Sequence, residues 1–567
     1  MPTQLTALLK VFVTLMLACS SGKLWCAQLR IPEDFPTIQS GVSAASVGDT
    51  VLLSAGNYRE VVHVPSMGLV IASVYLLSGD TNDIAACTWR GFNNGDDTLR
   101  CLSSETAAGP EPNVRIVGIR FAQSATHFND EGGAIRIFQQ FSSIENCYFD
   151  SCFAGFGGAV AIRQGISVIR NCMFTHCGMK NLGSILRIRN SQVLMDSCVI
   201  RSDTSLAPSW DSPLLFWMQA SKLTIRNSEF YDNGFTMYDN GGTFIYASKP
   251  PDSVEIVNCR LHDNWFEWLI TDGGGPVKYL RVDSNHFFDN RLTFALYGQS
   301  SYDSLTDFQA IGNIFERFTP DIDAQMHGLV SLDASDHHST RMEYNLVQDI
   351  HGGHTSFGTI FGDNEDLRTV SRNYIINCSN RSITSPPSGQ IQGIHGPGIH
   401  ELVQNIFMNN LGYAAYQGSN QQTGYVEYNF WGHESGPFDS VRNPNGLGDT
   451  VSFRLDYEPW AEDTNFVSAV PEPRDPVEIA DSFIGNAYPN PFNGHVTIEF
   501  VLLKDQDITL DVYDLTGRHV ETILSDRMRK GVHIRDWTPE SLASGIYFVR
   551  LLGDEHVRST IKLMFLK

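Results

Sequence analysis

After its first thirty residues the chain has no apolar run long enough to cross a bilayer, so no later transmembrane segment is expected. Charge is scarce as well. Asp, Glu, Lys and Arg make up 18% of 567 residues, and the acids outnumber the cations 63 to 40. The net charge of −23 repels nucleic acid and anionic membranes. It also repels acidic polysaccharides unless a cation such as Ca²⁺ bridges the two, and no other cofactor is signalled. Helical periodicity is missing from the body of the chain. Glycine (48) and phenylalanine (34) are plentiful instead, a β-rich composition because turns need Gly and strands favour aromatics. A chain of this length exceeds one compact core, so several domains or an elongated array are expected.

Residues 1–27 read as an export signal: Lys10, an apolar run at 11–18, then small residues before Gln28. The alternative is a lipoprotein cysteine at Cys19, after "LMLA".

"IENCYFDSC" at 144–152 returns as "IRNCMFTHC" at 169–177. The same position can be followed onward through Cys198, Ser228, Cys259, Asn285, Asn313, Asn345, Asn373, Asn405 and Asn429, with a bulky apolar residue two places after each. The repeat length varies too much for paired helices. It suits a β-solenoid of about twelve rungs with three short strands per coil, because extra residues bulge from the turns while the strands stay stacked about 4.8 Å apart. Asn at this position is expected to hold a left-handed corner, its amide donating to one coil and accepting from the next. Cys147, Cys152, Cys172 and Cys177 form two stacked C-x₄-C pairs. These are a metal site, disulfides between rungs, or small buried residues filling the ladder. Cys87 and Cys101 flank a polar loop and form the disulfide candidate of an exported chain. Leucine-rich repeats share such a ladder but need more leucine and an outer helix.

Residues 29–64, with Ile38, Val42 and Ala45 on one face of a short capping helix, resemble the opening of right-handed parallel β-helix proteins of the pectin-lyase-like superfamily. "YNFWGHESGP" at 428–437 is similar to the closing motif of many surface β-helix proteins. "EGGAI" at 131–135, "FGGAV" at 156–160, "FYDN" and "FFDN" are similar to repeats of outer-membrane adhesins. The resemblance covers residues 28–460 and implies a right-handed parallel β-helix.

Residues 461–482 are acidic and Pro-containing, a linker. Residues 483–567 alternate with period two at 496–501, 508–513 and 546–551, which predicts a small Ig-like β-sandwich. A carbohydrate-binding sandwich is one reading of such a tail. "YPNPFN", "DVYDLTGR", "LASGIYFVR" and the lysine-bearing "IKLMFLK" resemble the type A sorting domain of the type IX secretion system. That resemblance implies Sec export, recognition of residues 483–567 by the secretion machinery, and delivery to the outer cell surface or the medium.

No catalytic series of the polygalacturonase, pectin methylesterase or calcium-and-arginine lyase kind is present. The densest polar cluster is Asp333, Asp336, His337, His338, Asp349, His351 and His354, where His and Asp side chains suit acid–base work or a divalent metal. Trp265 and Trp268 are candidates for stacking on sugar rings. Two functions are carried forward: an exported protein that binds extracellular polysaccharide or another surface macromolecule, and a polysaccharide lyase or glycoside hydrolase.

Overall fold

The structure is a computed structural model that describes residues 27–465 and 482–565, with short interruptions that include 202–213, 319–327, 334–338, 351–356 and 379–388. The expected signal segment and most of the expected linker lie outside the described residues.

From Gln28 onward the chain winds through three parallel sheets. A typical coil runs Phe141–Glu145 in the first sheet, Tyr148–Asp150 in the second and Val160–Arg163 in the third, then re-enters the first as Ile166–Arg170. Among the described residues the sheets hold 14, 13 and 15 strands, more than the twelve coils expected. The surplus lies ahead of the recognisable repeat. Tyr58 and Trp89 occupy the place in the second sheet that Phe121 and Phe149 take afterwards.

Alternation along each short strand sends one side chain in and its neighbours out. The inward rings stack coil upon coil. Centroids of Trp89, Phe121, Phe149 and Phe174 follow at 5.7, 5.1 and 4.7 Å, close to the rung height. The helix Ile38–Ala44 closes the N-terminal end with Ile38 and Val42 buried, as its apolar spacing predicts. Thr37 and Ser40 form a capping box, and the Glu60 carboxylate accepts from the Ile38 and Gln39 N–H groups (2.8 and 3.0 Å).

The ladder residues are buried, and each bridges two coils. Asn313 Oδ1 accepts from both the backbone N–H and the Nδ2 of Asn285 (3.0 Å each), while Asn285 Nδ2 also donates to Ile256 O (2.8 Å). The same set repeats through Asn345, Asn373, Asn405 and Asn429. The expected left-handed corner is displaced by one residue. Ser284, Tyr344, Arg372 and Gln404, each just before a ladder Asn, take φ of 56–59°. That residue turns the corner, which leaves the Asn to point inward and join the coils.

Cysteine replaces Asn near the N-terminus without changing the plan. Cys172 and Cys198 aim their thiols at Ile144 O and Ile169 O (3.4 and 3.6 Å), the carbonyl position that Asn Nδ2 uses later. All nine described cysteines are buried and unbridged. Cys87 and Cys101 are therefore not joined, contrary to expectation. Cys87 opens Cys87–Arg90 in the second sheet, whereas Cys101 precedes Leu102–Ser104 in the third and aims at Trp89 O (3.6 Å). Among the described residues no cluster of three or more His, Cys, Asp or Glu is arranged to hold a metal.

A second ladder runs at the far end of the second sheet. Asn233, Asn264 and Asn290 repeat the pattern, and Cys152, Cys177 and Cys378 take the same place elsewhere. It ends at Asp449, which accepts from Asn410 N (3.2 Å) and Asn410 Nδ2 (2.7 Å). An ionised Asp has no donor to offer a further coil. The first ladder ends differently. Asn429 Nδ2 turns back to Val426 O (2.7 Å) in its own loop.

Beyond the solenoid, two antiparallel sheets form a separate unit. One contains Ser482–Tyr488, Val496–Leu502 and Gly531–Trp537; the other contains His519–Met528, Gln506–Asp514, Gly545–Gly553 and His556–Phe565. Their shared core includes Ile498, Phe500, Leu510, Val512, Val549 and Leu563.

Replacing Asn345 with Leu strands the Asn313 N–H and the Ala310 carbonyl in the core. Each stranded group costs roughly 1–3 kcal/mol. The urea midpoint should fall accordingly, and an unchanged midpoint would sink the ladder assignment. A second outcome concerns Asp449. Burial outweighs the Asn410 hydrogen bonds and raises its pKa from 3.8 to about 6. A raised carboxyl is most stabilising in its neutral form, so folding is favoured below pH 4 and loses up to about 3 kcal/mol as pH climbs from 4 to 6. Melting curves of Asp449→Asn minus wild type should show that loss disappear across the same window.

Candidate functional site

The outward side of the third sheet carries the most concentrated chemistry among the described residues. One outward row runs Ser103, Arg136, Ala161, Arg187, Trp217 and Tyr246 from coil to coil. The next runs Phe138, Arg163, Arg189 and Gln219. Arg100 joins them from the segment before Leu102–Ser104.

Two glycine pairs bring a second layer across this sheet. Gly132 and Gly157 adopt φ of 69° and 64°, a region that disfavours any Cβ. A Cβ on Gly133 would sit 2.1 Å from Gly158 O, so the two loops cross in backbone contact. The residues just before the glycines, Glu131 and Phe156, bridge one another and are laid over the outward rows. Gly157 also makes room for Arg187, whose Cβ lies 2.8 Å from where its own Cβ would be.

Arg187 is the centre of the arrangement. Its guanidinium lies between the Phe156 ring (4.2 Å) and the Trp217 ring (4.0 Å), with an ion pair to Glu131. Arg163 Nη1 reaches the other Glu131 oxygen at 3.4 Å. Arg100 pairs with Asp130, and Arg136 approaches the same carboxylate at 3.7 Å. Four arginines thus face two carboxylates, with Arg189 beside them, in a chain that is strongly acidic as a whole. The excess is felt locally. Burial, then the like charges of Arg100 and Arg163, lowers the Arg136 pKa to about 10. For Arg187 burial again leads, Glu131 opposes it, and the result is also about 10. Both remain cations at neutral pH, in a field that an added anion would relax. Glu131 Oε2, Arg187 Nε and Arg100 Nη1 are buried without a hydrogen-bond partner among the described residues. The face therefore holds polar capacity that the fold leaves unused.

Two stretches match known families. Residues 113–315 match the family described as right handed beta helix region, and residues 486–565 match the secretion system C-terminal sorting domain. The chain is a right-handed parallel β-helix protein with a C-terminal sorting domain. The β-helix protein is exported by the type IX secretion system to the cell surface or the extracellular space. No helix among its described residues is long and apolar enough to cross a membrane. Solved structures similar to it include an alginate lyase of family PL6 in complex with a trisaccharide, at 12% identity over 74% of this chain and 76% of that one, TM-score 0.29. Another is the family 28 exopolygalacturonase of Yersinia enterocolitica, at 9% identity over 69% and 76%, TM-score 0.23. No curated protein matches the β-helix protein in sequence.

The residues singled out from sequence fare differently. Asp336, His337, His338, His351 and His354 lie outside the described residues. Asp333 ends Gly328–Asp333 of the third sheet, and its side chain is outside them too. Asp349 is a left-handed corner residue of the second sheet, φ 54°, that accepts from Asn377 Nδ2 (3.2 Å). Trp265 is half-buried with the Arg291 guanidinium 4.2 Å over its ring, so that face is already covered. The Trp268 side chain is outside the described residues.

A histidine cluster does exist, but on the second sheet. His262 Nε2 meets Glu229 (3.2 Å) and its Nδ1 meets Asp263 (2.7 Å). Burial alone would lower its pKa, but these carboxylates win and raise it. His286 pairs with Glu316 (2.9 Å) and stays lowered, chiefly by burial. The His262 ring stacks on Phe288, and the His286 ring lies tilted against it. With both nitrogens of His262 engaged, this cluster ties coils together and leaves that imidazole no nitrogen for a substrate.

Arg187→Ala removes one partner of a buried pair and strands Glu131, a loss of about 3 kcal/mol. Arg187→Lys should lose less, since it keeps charge and gives up only the planar stacking. A Lys variant with wild-type urea stability would show that the ring sandwich contributes nothing.

Proposed function

We propose that the exported β-helix binds an acidic extracellular polysaccharide on the arginine-rich outer face of its third sheet, without cleaving it. The observation that carries this reading is the local reversal of charge. Arg100, Arg136, Arg163, Arg187 and Arg189 gather on one face of a chain with net charge −23. Guanidinium groups match carboxylate and sulfate in planar, two-pronged hydrogen bonds. The net negative charge of the chain as a whole disfavours binding of an acidic ligand elsewhere. The rigid stacking of coils presents the arginines without ordering cost at the moment of binding. Ca²⁺ is not required by this arrangement, since the cations come from the protein.

Arg163 and Arg189 are the residues to change, because both are partly exposed and neither is sandwiched. Titration calorimetry of the purified protein with polyguluronate, polygalacturonate and chondroitin sulfate should show binding that weakens steeply with NaCl. The Arg163→Ala, Arg189→Ala double variant should bind about tenfold more weakly while still melting cooperatively, as expected when a salt-sensitive contact of about 1.4 kcal/mol is lost. Equal affinity in wild type and variant removes the face from consideration. New reducing or unsaturated ends that vanish in Glu131→Gln would make the protein a hydrolase or lyase instead.

A further inference from the structure

A channel lies at the corner between the third sheet and the first, with a cavity volume of about 420 Å³. Its floor is a serine ladder. Ser191 Oγ accepts from Gly165 N (3.2 Å) and donates to Arg189 O (2.7 Å), and Ser221 Oγ does the same for Ser191 N (3.2 Å) and Gln219 O (2.7 Å). One rim is set by Gln164, Asn190 and Ala220, held in left-handed backbone at φ of 54°, 49° and 48°. The other rim is the in-register row Ile166, Gln192, Lys222 and Ser253. Both rims repeat once per coil, so the channel runs along the rod axis across four coils.

The chemistry of the walls differs from that of the arginine face. Among the described residues, no carboxylate and no aromatic lines the channel. The cation among them, Lys222, is tied to Glu255 at 2.6 Å. Asn190 and Gln192 face solvent with amides that both donate and accept, the pairing that vicinal hydroxyls need. Ile166, 48% exposed, offers an apolar contact at one end. Coil height is about 4.8 Å, comparable with one ring of a linear 1→4-linked pyranose chain. The floor's N–H groups are already bound to the serines, which leaves little for a peptide backbone to pair with.

We propose that this corner channel is a second binding site, for a linear neutral glycan lying parallel to the rod axis with one sugar per coil. It rests on residues other than those of the arginine face, so either site can fail without the other. The test is calorimetry of the full chain with β1→4-linked glucose, mannose and xylose oligomers of increasing length. Affinity should rise up to about four sugars, the number of coils lining the channel at the rung spacing, and then level off. It should be indifferent to NaCl and to the Arg163→Ala, Arg189→Ala changes. Asn190→Ala with Gln192→Ala should weaken it about tenfold, the loss of roughly one good hydrogen-bonded contact. Ala220→Trp, which fills the channel from a half-buried corner, should abolish it, with folding of both variants verified by melting temperature. The proposal is overturned if no neutral oligomer binds at millimolar concentration, if the double variant binds as well as wild type, or if extended peptides bind and the sugars do not.

Discussion

A coil of a solenoid buries its own polar corner under the next coil, and every such corner needs partners that cannot be water. The asparagine ladder meets that requirement in one stroke. Each Oδ1 takes the backbone N–H and the amide of the coil before it, and each Nδ2 also reaches a carbonyl one coil back. The strands can be as short as three residues because the ladder, as well as the sheet, fixes the register. Loops can then vary in length without disturbing the stack, and the outward rows stay aligned over many coils. Both candidate surfaces depend on that alignment.

The ladder was legible because identical side chains must stack. A column of Cys, Ser and Asn at matching places is a physical signature of coils in register. Its precise geometry was not legible. The left-handed residue is the variable one before the Asn, where Tyr344 and Arg372 carry no compositional signal for positive φ. The second ladder was in view as the last letter of "FYDN" and "FFDN", yet it is interrupted by Phe318, Ile350 and Cys378 and so lacks a continuous column.

The arginine face was harder to see. Its residues are drawn from 100 to 189, one or two per coil, and only stacking makes them neighbours. The visible trace was the first letter of "EGGAI" and "FGGAV". Those letters, Glu131 and Phe156, are what the glycine crossings place around Arg187. Density of His and Asp along the chain pointed elsewhere, to 333–354, where the described part shows Asp349 engaged at a corner. Proximity in sequence is a poor guide in a fold whose neighbours are one coil apart.

The ends of the two ladders set the size of the object. At Asn429 the amide folds back onto Val426 O, and at Asp449 a pure acceptor replaces a donor. A stack that grows by pairing each new rung with a waiting donor is, in effect, a one-dimensional polymerisation, and these two residues are its chain terminators. With the helix Ile38–Ala44 closing the other end, two rods meeting tip to tip find no template to extend. A molecule built on the same principle as a fibril is thereby kept discrete.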